Sequence, residues 1–288
     1  MKEAWSKWGD ADEIGALNMI GAAEVRSAVK LVRTGQVLSL AQEISAAMPA
    51  PSHRPGVAHF MSRDGGDYAA GARTPGGFQF SEDTVVMPLH TGTHVDALCH
   101  CWHDDMLYNG FPGDGVRSKG AQKLGIHTMP PVVTRGVLLD FVSLVGAPLE
   151  DGTAIGAEML HAAIASTGTK LRIGDVVLLR TGWQESKGAG TPDFYAEPGI
   201  DVDAALVLAE AGVAMVGADN YAVEVLPFAP GTVFPVHQRL IRDYGIPLLE
   251  GLVLKPLAEA GATEFLFMAA PLPIRGGTGS PITPVAVL

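Results

Sequence analysis

The chain has 288 residues, of which 47% are hydrophobic and 18% charged, and this composition excludes disorder over most of its length. Its formal net charge of −11, without basic runs, argues against nucleic acid and anionic membranes as partners. No uncharged apolar stretch reaches the roughly 18 residues of a membrane span, so none is expected.

Two cysteines, Cys99 and Cys101, are separated by one residue and cannot form a disulfide framework. Free thiols suit a reducing compartment, and the N-terminus lacks the apolar region of a signal peptide. We therefore expect a cytoplasmic protein. The low charged fraction also indicates a compact body whose surface is partly buried in an oligomer.

The first third of the chain contains few regular elements. Residues 23–34 place Val25, Val29 and Val32 on one helical face before Gly35, which predicts a helix that ends there. Residues 37–44 predict a strand. Residues 46–80 are rich in Gly, Pro and Ala and predict a long functional loop with aromatic anchors.

From residue 84 onward, strands and helices alternate. Short β-branched segments bounded by Gly and Pro predict strands at residues 84–90, 133–142, 173–183, 213–220, 246–254 and 264–272. Apolar stripes of helical period predict helices at residues 156–167, 202–212 and 234–245, with a helix or turn near 255–261. Because no linker or repeat divides the chain, we predict one α/β domain over residues 1–288.

Four of the nine histidines lie between residues 90 and 103, in the segment PLHTGTHVDALCHCWHD. His94 and Asp96 are two residues apart, so their side chains face the same way on an extended chain, and His90 can join them across a turn at Gly92. Two imidazoles and a carboxylate are a common ligand set for Zn²⁺, Mn²⁺ or Fe²⁺. The alternative is that these histidines only form hydrogen bonds within a turn.

The segment HTGTHVDALCH resembles the H-x-G-T-H-x-D-x-x-x-H signature of the metal-dependent cyclase or hydrolase family, which includes bacterial kynurenine formamidase and isatin hydrolase. The segments WGDADEIGALNMI, WHDDMLYNGF, RGVLLD, GDVVLLRTGW, GADNYAVEV and PLPIRGGTGSPITPVAV extend the resemblance to nearly the whole chain. It implies a swivelling β/β/α cyclase-like fold with a mixed, barrel-like sheet flanked by helices. It also implies one or two divalent metals, zinc or manganese, and a homodimer or homotetramer.

The resemblance also implies which residues bind the metal. The matching ligands are His90, His94, Asp96, His237 in PVHQRL and Glu250 in LLEGL. Gln238 could replace a further histidine ligand, so one metal or two are both compatible with the sequence. A carboxylate among leucines, as in LLEGL, makes independent sense as a ligand, because an unpaired buried charge costs several kcal/mol.

His100 resembles the acid/base histidine of the family, and an unperturbed imidazole pKa of about 6.5 suits proton transfer. We predict an enzyme that uses metal-activated water to hydrolyse a C–N bond. The expected substrate is a small molecule, either a cyclic amide or an aryl formamide. Lactone or ester hydrolysis at the same site and a non-catalytic metal-binding scaffold are the alternatives. Candidate substrate contacts are Phe60, Trp102, His103 and Tyr108. The alternative for these residues is a place in the core, where aromatic side chains are more often found.

Overall fold

The computed structural model describes residues 5–187 and 193–288. The strands are β1 (Val37–Ser39), β2 (Ala58–Arg63), β3 (Glu82–Val86), β4 (His94–Asp96), β5 (Val116–Arg117), β6 (Gly120–Ala121), β7 (Val132–Asp140), β8 (Ala154–Ile155), β9 (Val176–Arg180), β10 (Gly199–Ile200), β11 (Met215–Ala218), β12 (Leu248–Glu250), β13 (Glu264–Ala269), β14 (Gly279–Pro281) and β15 (Val285–Val287). The α-helices are α1 (Ala22–Val29), α2 (Gly65–Ala69), α3 (Phe141–Val145), α4 (Ala157–Ser166), α5 (Trp183–Lys187), α6 (Val202–Glu210), α7 (Pro235–His237) and α8 (Lys255–Glu259).

Nine strands form one mixed sheet in the order β1-β15-β13-β7-β9-β11-β12-β4-β14, which curls into a half-barrel. The four strands β7, β9, β11 and β12 run parallel to one another, and the strands on either side of them pair antiparallel. Every residue of β9 and β11 is buried, because helices cover this part of the sheet. The predicted α/β fold with a mixed, barrel-like sheet and flanking helices is confirmed.

The segment 46–80, predicted as a loop, contains regular structure. Strand β2 lies within it and pairs antiparallel with β3, with Ala58 opposite Val86. Helix α2 follows β2 and begins at Asp64, whose side chain accepts hydrogen bonds from the first turn. The predicted strand 84–90 is correspondingly shifted, since β3 ends at Val86, and the chain then leads irregularly to His90.

Other predicted elements also differ in extent, and the helix expected to end at Gly35 ends at Val29. The strand expected over residues 37–44 is limited to β1, and the helix expected over residues 234–245 divides into α7 and a π-helix over Gln238–Asp243. A π-helix has a wider turn than an α-helix, so the side chains no longer follow the 3.6-residue period assumed from the sequence. Within residues 5–187 and 193–288, no helix is long and apolar enough to cross a membrane.

Candidate metal centre and adjoining cavity

Strand register brings three of the predicted ligands together. Strand β4 lies between β12 and β14, and His94 is directly opposite Glu250 on β12. Directly opposed residues on antiparallel strands project from the same face of the sheet, and Asp96, two residues after His94, projects from that face as well. All three side chains are buried, so the sheet itself places two carboxylates and an imidazole at one point.

The turn before β4 fixes the orientation of His94. Gly92 has φ +60°, and a side chain there would lie 2.9 Å from the Met48 methyl carbon, so the position favours glycine. The Gly92 carbonyl accepts a 2.8 Å hydrogen bond from Nδ1 of His94. The other ring nitrogen, Nε2, is thereby left unprotonated in the neutral ring and directed toward the carboxylates.

His237 is oriented by Glu224, a residue that the sequence reasoning did not single out. Nδ1 of His237 donates a 2.6 Å hydrogen bond to Oε1 of Glu224, and the same carboxylate accepts from the backbone N–H groups of Val236 and His237. A carboxylate behind a ligand histidine fixes the tautomer and makes the free nitrogen more basic. The one available signal was the position of Glu224 within GADNYAVEV, one of the segments similar to the cyclase family.

The ligand atoms of Asp96, His237 and Glu250 lie within 4.8 Å of one another, and Nε2 of His94 adjoins the two carboxylates. Nε2 of His94 lies 3.1 Å from Glu250 and 3.8 Å from Asp96, while Nε2 of His237 lies 3.3 Å from Glu250 and 3.6 Å from Asp96. Ligand atoms about 2.0–2.1 Å from a tetrahedral zinc ion are themselves about 3.3 Å apart. The donor set and its spacing therefore fit a divalent cation.

Two buried polar atoms support the same conclusion. Within the described residues, Nε2 of His94 and Oδ2 of Asp96 have no hydrogen-bond partner, although Glu250 lies close to His94 without hydrogen-bond alignment. Leaving such an atom unsatisfied costs about 1–3 kcal/mol. Both atoms belong to the converging group, and one cation would satisfy them together.

A second group of ligand-type residues shares Asp96 with the first. His90, Asp96 and His100 offer ligand atoms within 4.8 Å of one another. In this structure, however, Nδ1 of His90 donates to Oδ1 of Asp96 at 2.8 Å, and its Nε2 accepts from the hydroxyl of Thr278 at 3.0 Å. Both ring nitrogens of His90 are thus hydrogen-bonded to protein groups. A second cation at this group would replace the proton that Nδ1 of His90 donates to Asp96.

Burial and mutual charge shift the pKa values of the group in opposite directions. Burial alone would lower the pKa of His237, but the carboxylates of Asp96 and Glu224 outweigh it and raise that pKa well above its usual value. Burial alone would raise the pKa of Asp96, yet His100 and His237 hold it well below its usual value. The group therefore favours charged carboxylates beside cations, which is the arrangement that a divalent metal completes.

The histidine after β4 has the opposite behaviour. Burial lowers the pKa of His100 to about 4, so its ring is neutral at neutral pH. Its ring centre lies 4.1 Å from that of His90 and 6.3 Å from that of His237. A neutral imidazole can accept a proton, but a pKa of about 4 makes His100 a weaker base than the unperturbed imidazole expected from the sequence.

The other candidate residues do not reach the centre. The side-chain amide of Gln238 donates to the Val233 carbonyl, and Tyr108 is fully buried with its hydroxyl donating to Asp12. Phe60 is exposed on β2, and Trp102 and His103 are exposed beyond the signature segment. None of these residues lines the cavity beside the metal centre.

A cavity of about 440 Å³ opens onto the cluster, with His90, His94 and Glu250 in its wall. Three aromatic side chains also line it, and the ring centre of Phe194 lies 6.2 Å from that of Trp183 and 5.3 Å from that of Tyr221. A volume of this size and an aromatic lining are typical of small-molecule sites. The sequence did not indicate these aromatic residues, because they lie some 90 to 130 residues after the histidines and only the fold brings them together.

Comparison with known proteins places this geometry in context. The family model described as "Putative cyclase" matches residues 38–225. A solved structure described as a novel cyclase is 37% identical, with a TM-score of 0.92 and coverage of 99% of both chains. No curated protein sequence matches the chain.

More distant structures share the fold. Isatin hydrolase A from Ralstonia solanacearum is 23% identical, with a TM-score of 0.64 over 87% of this chain and 91% of that one. A predicted metal-dependent hydrolase from Bacillus stearothermophilus is 20% identical, with a TM-score of 0.58 over 87% of this chain and 97% of that one. These two likenesses concern the fold alone.

Proposed function

Since the chain belongs to the cyclase family, as its signature segment predicts, we propose that it is a divalent-metal-dependent hydrolase of a C–N bond in a cyclic amide or aryl formamide. The observation that carries the proposal is the grouping of Asp96, His237 and Glu250, with His94 beside both carboxylates and two unsatisfied buried atoms among them, next to a small-molecule cavity that His94 and Glu250 line. Zinc and manganese both accept this donor set, with one or two ions per subunit.

The chain's own residues would have distinct tasks. His94, Asp96, His237 and Glu250 would hold the cation, with His90 as an additional donor beside Asp96. A bound divalent cation would supply Lewis acidity, which lowers the pKa of water and polarises a carbonyl group. The backbone carbonyl of Gly92 and the carboxylate of Glu224 would keep the two imidazoles in the binding orientation.

Proton transfer would fall to His100. Cleavage of a C–N bond requires a proton on the departing nitrogen, whereas an alcohol or phenol leaving group needs it less. A ring nitrogen of His100, neutral because burial lowers its pKa to about 4, would take the proton from the attacking water and return it to that nitrogen. His90 lines the cavity and its ring centre lies 4.1 Å from that of His100, which does not line the cavity, so a further polar group or water would complete the path.

A series of three variants tests these assignments. We expect His94→Ala to lose bound metal, measured by elemental analysis, and to lose turnover in a screen of lactams, aryl formamides and lactones, while retaining its circular dichroism spectrum. His100→Gln should keep its metal but lose more activity on amides than on activated esters. His161→Ala, which removes an exposed histidine on α4, is the matched control and should behave like the wild type.

The outcomes separate the alternatives. Undiminished amide hydrolysis by metal-free His94→Ala would exclude the metal mechanism. Equal losses on amides and activated esters in His100→Gln would exclude its role as proton carrier. Turnover of lactones alone would indicate an ester hydrolase, and tight metal binding without any turnover would indicate a scaffold.

A further inference from the structure

The cavity beside the metal centre contains a cation that the metal chemistry does not use. Arg54 lines the cavity, is half-buried, and lies between the metal-binding turn and the aromatic wall. One of its terminal nitrogens donates to the carbonyl of His90, and its guanidinium carbon lies 5.2 Å from the centre of the Tyr221 ring. Both contacts hold the side chain in place, but neither neutralises its charge.

No carboxylate of the described residues lies within ion-pair distance of Arg54, in a chain with 31 acidic and 20 basic residues. Lys187, the other Lys or Arg side chain in the lining, differs because it forms a 2.6 Å ion pair with Asp151. Glu43, the acidic residue of the lining outside the metal group, is exposed and forms no such pair with Arg54. A half-buried guanidinium without a counter-charge retains donors for a ligand.

The guanidinium group of Arg54 is suited to binding oxyanions, including carboxylates. Its planar donors match the two oxygens of a carboxylate and bind them in a bidentate manner, and such charge-assisted hydrogen bonds are stronger than neutral ones. The rest of the cavity offers the aromatic side chains of Trp183, Phe194 and Tyr221, together with Met48 and Pro51. A planar apolar body would pack there while an anionic substituent reached the guanidinium.

We propose that this cavity selects an aromatic carboxylate as substrate, with the carboxylate on Arg54 and the scissile carbonyl at the metal group. The placement of the scissile carbonyl at the metal group rests on the proposed hydrolase function. The carboxylate is a substituent separate from the bond that is cleaved. Arg54 would thus determine specificity and positioning, whereas the metal group and His100 would carry out the reaction.

Paired substrates test the charge preference. For the wild type, we expect kcat/KM to be higher for a formanilide bearing a ring carboxylate than for unsubstituted formanilide. Arg54→Gln should lower kcat/KM for the best carboxylated isomer by about 10- to 100-fold, the value of a charge-assisted hydrogen bond, while changing that of formanilide by less than about 3-fold. Arg54→Lys should recover part of the preference, because it restores the charge but not the bidentate geometry.

Lys187→Gln is the matched control, since it removes a cation from the same lining that is already paired with Asp151. The preference for the carboxylated substrate should persist in this variant. Equal losses on both substrates in Arg54→Gln would overturn the proposal, because they would show that Arg54 only supports the turn through the His90 carbonyl.

A binding measurement distinguishes failure of this inference from failure of the hydrolase assignment. In full-length protein treated with a chelator, so that no metal can bind the ligand, we expect benzoate to bind at least about 10-fold more tightly than neutral benzamide, and Arg54→Gln to abolish the difference. A benzoate preference without turnover of any formanilide would retain the carboxylate subsite and reject the hydrolase. Turnover without any charge preference would retain the hydrolase and overturn the subsite.

Discussion

Glu224 shows how a single buried carboxylate can organise a metal ligand. It accepts the Nδ1–H of His237 and two backbone N–H groups, so it determines both where α7 begins and which nitrogen of His237 faces Asp96 and Glu250. Partners of this kind fix ring orientation and basicity, and their loss typically lowers metal affinity about 10- to 100-fold. Glu224 therefore matters for binding although its oxygens contact Nδ1 of His237 and backbone N–H groups and do not belong to the ligand group.

We expect Glu224→Gln to lower the affinity for zinc or manganese by about 10- to 100-fold in competition titrations with a chromogenic chelator. Asp219→Asn is the matched control. Asp219 is also a buried carboxylate, but it accepts hydrogen bonds from Thr181 and Gly182 and, among the residues that the structure describes, forms none with a histidine. Equal losses of affinity in the two variants would show that general destabilisation, not orientation of His237, is responsible.

Individual residues were predictable from sequence where the chemistry is local. His94 and Asp96 share a strand face because they are two residues apart, and a carboxylate among leucines, Glu250, requires a partner. The roles of Glu224 and Arg54 were not predictable, because each acts on a histidine or a cavity wall through contacts that only the folded sheet creates. Spacing within one element carries information about a shared face, but not about which elements become neighbours.

At the scale of elements, the turn from His90 to β4 depends on backbone conformation as much as on ligands. Gly92 has a left-handed backbone conformation, which costs about 1–2 kcal/mol for a residue with a side chain. Its carbonyl holds His94, and its α-carbon faces Met48. A side chain at position 92 should therefore both strain the backbone of the turn and weaken metal binding through His94.

We expect Gly92→Ala to lower the free energy of unfolding by about 1–2 kcal/mol in urea denaturation and also to weaken metal binding. Gly35→Ala provides the control, because Gly35 has φ +75° with no atom within 4 Å of the added carbon and lies outside the metal group. It should lose similar stability and keep its metal affinity. Unchanged metal affinity in Gly92→Ala would show that the turn does not control His94.

The elements that sequence periodicity predicted well are the buried ones. Helices α4 and α6 and strands β9 and β11 lie within the predicted ranges, and β7 begins one residue before its range. A continuous apolar stripe or run identifies a segment that packs against the core. Strand β2 was missed, and β3 was predicted at a shifted position, since the residues of both strands are exposed on both faces and no apolar alternation marks them. The π-helix was missed because its turn departs from the assumed period.

At the scale of the whole molecule, one hydrophobic core contains residues from Ala16 to Ala286, and the nine-stranded sheet runs through it. The low charged fraction of 18% predicted that additional surface is buried in an oligomer. The β2–β3 hairpin is a candidate for that surface. Its exposed apolar side chains, and those of the segment it encloses, are Phe60, Met61, Phe78, Phe80, Val85 and Val86.

We propose that this hairpin packs against a second copy of the chain in a homodimer or homotetramer. Phe60 and Met61 are adjacent on β2 and therefore project from opposite faces, yet they are 59% and 47% exposed, so neither face of the hairpin is covered. A two-stranded hairpin alone is marginally stable in water, so a covering partner would stabilise it.

Light scattering should give a wild-type mass of two or four times 30.1 kDa. Phe60→Asp combined with Val85→Asp should reduce that mass, whereas Ile173→Asp, at an exposed apolar residue outside the hairpin, should not. A wild-type mass of 30.1 kDa, or an unchanged oligomer in the hairpin variant, would contradict the assignment.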